Sequence, residues 1–318
     1  MNVLAGDVGG TKTLLQIAEV TASGYHTRHE ARFESVAWSG FVPLVEEFLR
    51  TVPFFPEKAC FAVAGPVEGT HAKLTNLSWE DLDATRLATH FGIRQVSIIN
   101  DFQAIGYGIE GLAAAELATL QAGYKVPRAP RALLGAGTGL GQGILVWKDG
   151  HYFPLDSEGG HVDFAPRDKE QEGLLQFLQT RYDHVSYERL LSGMGLVEIY
   201  RFLRSQTSNQ DTPNFEHAAS ISAAAFTADP LAVHALRLFV RIYGQQAGNL
   251  ALTCLARGGV YVAGGIAPRI LPFLQEGEFI RAFRAKGRME RLLVEIPVRV
   301  VLNHRVGLLG AGLFAARA

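Results

Sequence analysis

The sequence predicts an α/β protein built as two successive lobes related by internal duplication. Three observations carry that reading. The chain has 318 residues, about twice the ~150 usual for one domain. Apolar runs of strand length alternate with segments of helical periodicity in both halves. Each half also opens on a strand, a glycine-rich tight turn and a second strand. The turns are Gly6-Asp7-Val8-Gly9-Gly10-Thr11 and Gly135-Ala136-Gly137-Thr138-Gly139-Leu140-Gly141.

In the first half, residues 3–8 read as a buried strand, Gly9-Gly10 turns the chain, and residues 12–20 and 26–33 give two further strands. Residues 41–52 carry Val42, Leu44, Val45, Phe48 and Leu49 at helical spacing. A strand at 59–64, a helix at 79–91 and a β-branched strand at 96–100 complete the order β-β-β-α-β-α-β. From residue 132 a similar order begins again, with strands at 132–136, 143–147 and 151–153, followed by several helices. The clearest helix has Asp229 as its N-cap and Pro230 at its first position, and Gly258 stops it. Its apolar stripe is Val233, Leu236, Val240, Tyr243, Ala247, Leu250 and Cys254. A strand at 260–263, a helix near 279–293, a strand at 298–302 and a small-residue helix at 306–316 end the chain. The crossing between halves falls near 111–130, which is Ala-rich and contains Pro127 and Pro130. Two such lobes with facing glycine turns would hold one ligand in the cleft between them.

Composition removes several function classes. Hydrophobic residues make up 48% and charged residues 19%, ample for a core and unlike a disordered chain. Thirty Lys+Arg against 31 Asp+Glu give a net charge of −1, without the basic excess or cluster that phosphate-contacting nucleic-acid binders carry. Cys60 and Cys254 cannot make a disulfide framework or a four-cysteine zinc site, and both read as buried structural thiols. The N-terminus shows no signal-peptide pattern. The longest uncharged apolar stretch, 132–147, is shorter than the ~20 residues that span a bilayer. The expectation is a cytoplasmic protein with no membrane or nucleic-acid partner. Glycine is enriched, at 34 of 318 residues against the usual ~7%. Its clusters abut apolar strand-like runs, which points to backbone that something approaches closely.

Successive N–H groups in a glycine-rich turn make a concave anion site. Neither the Walker A nor the Rossmann spacing is present, so both usual nucleotide motifs are excluded while two phosphate-loop candidates remain. Each also reads as a glycine-rich hairpin under tight packing. Asp7 shifts the balance, because a carboxylate ending a buried strand beside two glycines can hold a hydrated Mg²⁺ against phosphates. Asn100-Asp101 follows the strand at 96–100, and ligand-binding residues collect at the carboxyl ends of parallel strands. The same residue types are ordinary turn and cap residues. The loop from Asp156 to Asp163, with Glu158 and His161, lacks metal-ligand spacing and fits hydrogen bonding to a polyhydroxyl ligand. Glu188, two residues after a Ser186 N-cap, falls in a first helical turn, where it serves either the helix dipole or a ligand.

Taken together, these segments resemble the bacterial glucokinase family. The resemblance rests on Gly-Asp-Val-Gly-Gly-Thr at 6–11, Ile-Asn-Asp-Phe at 99–102, Gly-Ala-Gly-Thr-Gly-Leu-Gly at 135–141, Glu-Gly-Gly-His-Val-Asp-Phe-Ala-Pro at 158–166, Ala-Gly-Gly-Ile-Ala-Pro-Arg at 263–269 and the closing Gly-Leu-Leu-Gly-Ala-Gly. Lys12, Asp156-Ser157 and Met194 depart from the family's pattern. The resemblance implies a two-lobed actin-like, hexokinase-type fold of the ribonuclease H-like class. The small domain would comprise residues 1–110 plus 301–318, and the large domain 111–300. It also implies transfer of the ATP γ-phosphoryl group to the 6-hydroxyl of D-glucose, in a cytoplasmic homodimer. Asp101 would be the general base, and Asn100, Glu158, His161 and Glu188 would bind the other sugar hydroxyls. Gly6, Asp7, Val8, Gly9, Gly10 and Thr11, with Gly137, Thr138 and Gly139, would hold the phosphates of ATP. Asp7 would face Mg²⁺, and Gly264 and Gly265 would lie near the adenosine. Two other readings compete: an actin-like ATPase that binds a protein partner, and a related hexose kinase of different sugar preference. The Glu158–His161 loop and Glu188 argue against the ATPase, which needs no polyol-binding cluster.

Overall fold

Alternation along the first strand organises the first half of the protein. In the computed structural model, which describes residues 1–22, 24–74, 76–207 and 213–318, strand β1 (Asn2–Val8) sends Val3 and Ala5 to one face of a sheet and Leu4 and Val8 to the other. The chain divides into two units. The first comprises Met1–Ala114, Tyr152–Pro154 and Asn303–Ala318, and the second comprises Ala115–His151 and Leu155–Leu302.

In the first unit, β2 (Lys12–Thr21) and β3 (Gly24–Glu34) pair antiparallel beside β1, while β4 (Lys58–Val63) and β8 (Gln95–Asn100) continue the sheet in parallel. The order is β3-β2-β1-β4-β8. Helix α1 (Phe41–Arg50) and helix α2 (Ala84–Phe91) supply Phe41, Phe48 and Leu87 to the core on the Leu4 face. On the Val3 face lie Ala104 and Tyr107 of α3 (Asp101–Gly108). Between β4 and α2, the short strands β5 (Val67–Glu68), β6 (His71–Ala72) and β7 (Leu82–Asp83) form a separate antiparallel sheet.

The second unit repeats the plan. Its strands are β9 (Leu117–Gln121), β10 (Arg131–Ala136), β11 (Leu140–Lys148), β13 (Val260–Ala263) and β14 (Val298–Val301), and the same sheet includes β12 (His151–Leu155), of which Tyr152–Pro154 is grouped with the first unit. They are ordered β12-β11-β10-β13-β14-β9. Here β10 pairs antiparallel with β11 and parallel with β13, as β1 does with β2 and β4, which makes the duplication explicit. The helices are α4 (Lys169–Gln179), α5 (Gly193–Ser205), α6 (Ala218–Phe226), α7 (Pro230–Thr253), α8 (Leu271–Gln275), α9 (Glu278–Arg284) and α10 (Glu290–Glu295). The last helix, α11 (Val306–Arg317), belongs to the first unit and packs Leu308, Ala311 and Ala315 against the Val3 face. Its backbone crosses α3 closely, because a Cβ at Gly310 would overlap the Ala104 carbonyl.

Four local expectations need correction. The helix expected over 79–91 begins at Ala84: Asp83 caps it by accepting from the Arg86 N–H at 2.8 Å, and the residues just before belong to β7. The helix expected to run to Arg257 stops at Thr253, because Leu255 takes a left-handed conformation at φ 49°. The helix expected near 279–293 is two, α9 and α10, separated by Gly287 at φ +55°. Glu188 lies in a single 3₁₀ turn, Tyr187–Arg189, and the Ser186 side chain makes no capping bond. A helix dipole therefore does not account for Glu188, since one such turn has little dipole to offer.

Candidate active site

The register of β1 decides where the first acidic residue goes. Asp7 is opposite Leu14 and Ala62, so it shares the Val3–Ala5 face with α3 and α11. At the carboxyl end of β8, Asn100 caps α3. Its Oδ1 accepts from the Phe102 N–H at 2.8 Å and the Gln103 N–H at 3.4 Å, and its Nδ2 donates to the Gly65 carbonyl at 3.2 Å. The cap reading of Asn100 is thus visible in the structure, and it fixes the residue that follows. Asp101 is the first residue of α3, where Asn100 rather than Asp101 is the N-cap residue.

Burial, and then the charge of Asp7, push the Asp101 carboxyl up to about 6, while backbone N–H groups at the helix start oppose the shift. Asp7 is raised as well, by burial, with Lys12 pulling the other way. The start of α11 lies against the same place: a Cβ at Gly307 would sit 3.9 Å from Asp7 Oδ2 and 4.0 Å from the Asp101 carbonyl. A carboxyl of this kind is ionised at neutral pH yet basic enough to take a proton from a hydroxyl.

The turn from β1 to β2 is held from outside. The Gly9 N–H donates to the Lys12 carbonyl at 3.0 Å, the Ser35 N–H to the Thr11 carbonyl at 2.9 Å, and Ser35 Oγ to the Gly9 carbonyl at 2.8 Å. Ser35 was not among the residues the sequence singled out, and no local pattern marks it. It arrives because Lys12 pairs with Glu34 across β2 and β3. The glycines of this turn differ in purpose. A Cβ at Gly6 would come within 2.6 Å of Phe61 Cδ1, so Gly6 is a packing glycine, while Gly10 lies against Asn76. Val8 is buried, and Thr11 is exposed.

In the second unit the structure gathers the remaining candidates. The 158–164 segment runs alongside 185–187, through the Tyr187 N–H to Val162 carbonyl bond at 3.1 Å and the Phe164 N–H to Val185 carbonyl bond at 2.9 Å. That pairing brings His161 between two carboxylates, with Nε2 3.8 Å from Glu158 Oε2 and Nδ1 3.9 Å from Glu188 Oε1. Glu188 also reaches the second glycine turn: its Oε2 accepts from the Leu140 N–H at 2.9 Å, and a Cβ at Gly139 would collide with the carboxylate. Ser192 Oγ donates to the Glu188 carbonyl at 2.8 Å, and the Gly193 N–H to the Gly137 carbonyl at 2.9 Å. Thr138 is exposed at the tip of the turn. Gly264, left-handed at φ +82°, presses on Ala136, whereas no atom lies within 4 Å of a Cβ built at Gly137 or Gly265. Two open glycines on adjoining turns leave backbone that a phosphate or nucleoside can approach. Among the described residues no group of three or more His, Cys, Asp and Glu side chains could hold a metal ion.

The chain is similar to known proteins along its whole length. The glucokinase family model matches residues 4–318. The glucokinase of Nostoc sp. (strain PCC 7120) is 47% identical over 339 residues, covering 99% of each chain. The crystal structure of glucokinase from an Antarctic psychrotroph has a TM-score of 0.91 and 31% identity, covering 100% of this chain and 99% of that one. A ROK family glucokinase from Streptomyces griseus, solved in complex with glucose and AMPPNP, shares the fold at a TM-score of 0.66 and 20% identity, over 100% of both chains.

Proposed function

The chain belongs to the glucokinase family, with its two-lobed actin-like fold and ATP-dependent phosphorylation of glucose, and on that premise we propose which residues perform each part of the reaction. Asp101 is the general base. It takes the proton of the glucose 6-hydroxyl as that oxygen attacks the γ-phosphorus of ATP and the bond to ADP breaks. The observation that carries this is the Asp101 carboxyl itself, largely buried at the start of α3 near Asp7 and pushed up to about 6. A base poised just below the working pH contributes ~10²–10⁴ to rate. Asn100, Glu158, His161 and Glu188 hydrogen-bond the other sugar hydroxyls, which both donate and accept. Glu188 is also tied to the Gly137–Gly139 turn through the Leu140 N–H, so one carboxylate links sugar recognition to the phosphate-holding backbone.

The turns at Gly6 to Thr11 and Gly137 to Gly139 hold the phosphates of ATP, and Gly264 and Gly265 lie toward the adenosine. The AMPPNP of the Streptomyces griseus structure supports ATP as donor. Asp7 is suited to the Mg²⁺ that accompanies ATP, because a carboxylate beside phosphate-binding N–H groups is a hard oxygen ligand, direct or through water. Bound there, the ion would neutralise charge on the transferred group. An actin-like ATPase that acts on a protein partner is not favoured.

Asp101→Asn tests the assignment. It keeps size and hydrogen-bonding capacity but cannot take a proton, so kcat should fall by ~10²–10⁴ while glucose affinity falls only modestly. A variant that retains kcat within about threefold of the parent would remove Asp101 from the mechanism. The family resemblance also supports a cytoplasmic homodimer. No single helix among the described residues is long and apolar enough to cross a membrane. Light scattering should return twice the chain mass of 34.6 kDa, and a single-chain mass at assay concentration would overturn the dimer.

A further inference from the structure

A chain of hydrogen bonds, part-buried at Lys286 and fully buried at Gln142, leads to the Glu158–His161 loop, and its direction is fixed from one end. Lys286 Nζ donates to the Gln245 carbonyl at 3.0 Å and to Asn249 Oδ1. An ammonium only donates, so the Asn249 atom facing it must be oxygen. The Asn249 amide nitrogen therefore faces the other way, donating to Gln246 Oε1 at 3.0 Å and to the Tyr187 hydroxyl at 3.1 Å. Gln246 then has its own nitrogen left to donate, and Nε2 reaches Gln142 Oε1 at 3.3 Å. Every amide along the route is oriented in turn, and Gln142 Nε2 is the donor left at the far end.

Among the described residues that last donor has no hydrogen-bond partner, and it is buried, in a residue only 4% exposed. A stranded amide nitrogen of this kind is costly and calls for an acceptor. The Gln142 amide lies directly against the sugar loop: its Oε1 is 2.9 Å and its Cδ 3.3 Å from where a Cβ of Gly159 would be. The other branch of the chain ends on Tyr187, the neighbour of Glu188. Both ends of the network thus meet the segments that carry Glu158, His161 and Glu188.

We propose that Gln142 is a positioning residue for glucose binding, whose Nε2–H, aimed by the chain that begins at Lys286, is taken up by an acceptor of the Glu158–His161 loop when the sugar binds. The proposal rests on that loop being the sugar loop. It makes Lys286 the residue that sets the polarity of the network without touching substrate.

Glucose binding by calorimetry, with steady-state kinetics, tests it. Gln142→Leu should raise the glucose Kd about tenfold, the effect of one lost hydrogen bond. The ATP KM and the kcat at saturating glucose should stay within about twofold of the parent. Lys286→Met frees the Asn249 amide to flip and should move the glucose Kd the same way by about threefold, and Lys286→Arg, still a donor only, should not. The double variant should be no worse than Gln142→Leu alone, because both act through one chain. Gln142→Met serves if the leucine variant does not fold. Parent-like glucose binding by the Gln142 variants, or effects of Gln142 and Lys286 that simply multiply, would overturn the proposal. His161→Ala separates the two levels. If it binds glucose as the parent does, the loop is not the sugar loop and the proposal falls with that reading. If it weakens binding while the Gln142 variants do not, only the role of Gln142 falls.

Discussion

Asp101 carries opposite consequences for activity and for stability. Its carboxyl is raised from 3.8 in an ordinary environment to about 6 in the fold. As a base it must be ionised, so kcat/KM for glucose should climb about tenfold per pH unit below about 6 and level off above it. For folding, a raised carboxyl pKa gives stability that is fully present below the unfolded value and lost as pH rises through about 6. At pH 7.5 the ionised group therefore costs stability, on the order of 1–3 kcal/mol once its partial exposure is allowed for. Asp101→Asn should accordingly melt higher than the parent at pH 7.5, with the gain shrinking as pH falls through about 6 and gone below about 4. Melts at the two pH values check this, and an equal or lower melting temperature at pH 7.5 would contradict the environment described for Asp101. The sequence placed this residue at a strand end, but its burial and its approach to Asp7 depend on the register of β1.

At the scale of elements, the Glu188 turn and the second glycine turn behave as one piece. The Glu188 carboxylate occupies the space a Cβ of Gly139 would need, and it holds the Leu140 N–H. Gly139→Ala should push Glu188 off that N–H and raise the glucose KM about tenfold, an effect the size of one hydrogen bond. Unchanged glucose KM with intact folding would show that Glu188 does not need this seat. Elements with strong periodicity or punctuation were legible in advance: β1, α1 and β13 run close to the residues that alternation and helical spacing indicate. Misreadings fell where local pattern was overridden. Trp79 looks like the start of an amphipathic helix, yet its indole N–H donates to the Trp38 carbonyl at 3.0 Å and the helix waits for the Asp83 cap. Ser186 looks like an N-cap, but the chain there pairs with Asp163 in a β-bridge instead.

For the whole molecule, we predict that zinc is irrelevant to the reaction, since Cys60 and Cys254 cannot make a four-cysteine site and the 156–163 loop lacks metal-ligand spacing. Activity should survive a zinc-selective chelator with Mg²⁺ supplied. Loss of activity that added zinc restores would overturn that view. The two units repeat one device: an antiparallel pair, β1 with β2 and β10 with β11, joined by a tight glycine turn.

By itself the sequence determined the two-part α/β plan, the glycine turns that end β1 and β10, and the acidic and imidazole residues available for sugar chemistry. These follow from local physics, because period-two and helical alternation, glycine permissiveness and side-chain type are properties of short stretches. Tertiary structure alone decided which of those residues meet. It brought Ser35 to the first turn through the pairing of β2 with β3. It set Asp7 and Asp101 on one face, and Glu188 against Gly139. It also aligned the buried amides from Lys286 to Gln142. Of these contacts all but the Asn249–Gln246 bond join residues from 22 to more than a hundred positions apart, and their free energy depends on burial and hydrogen-bond direction, which no window of sequence contains.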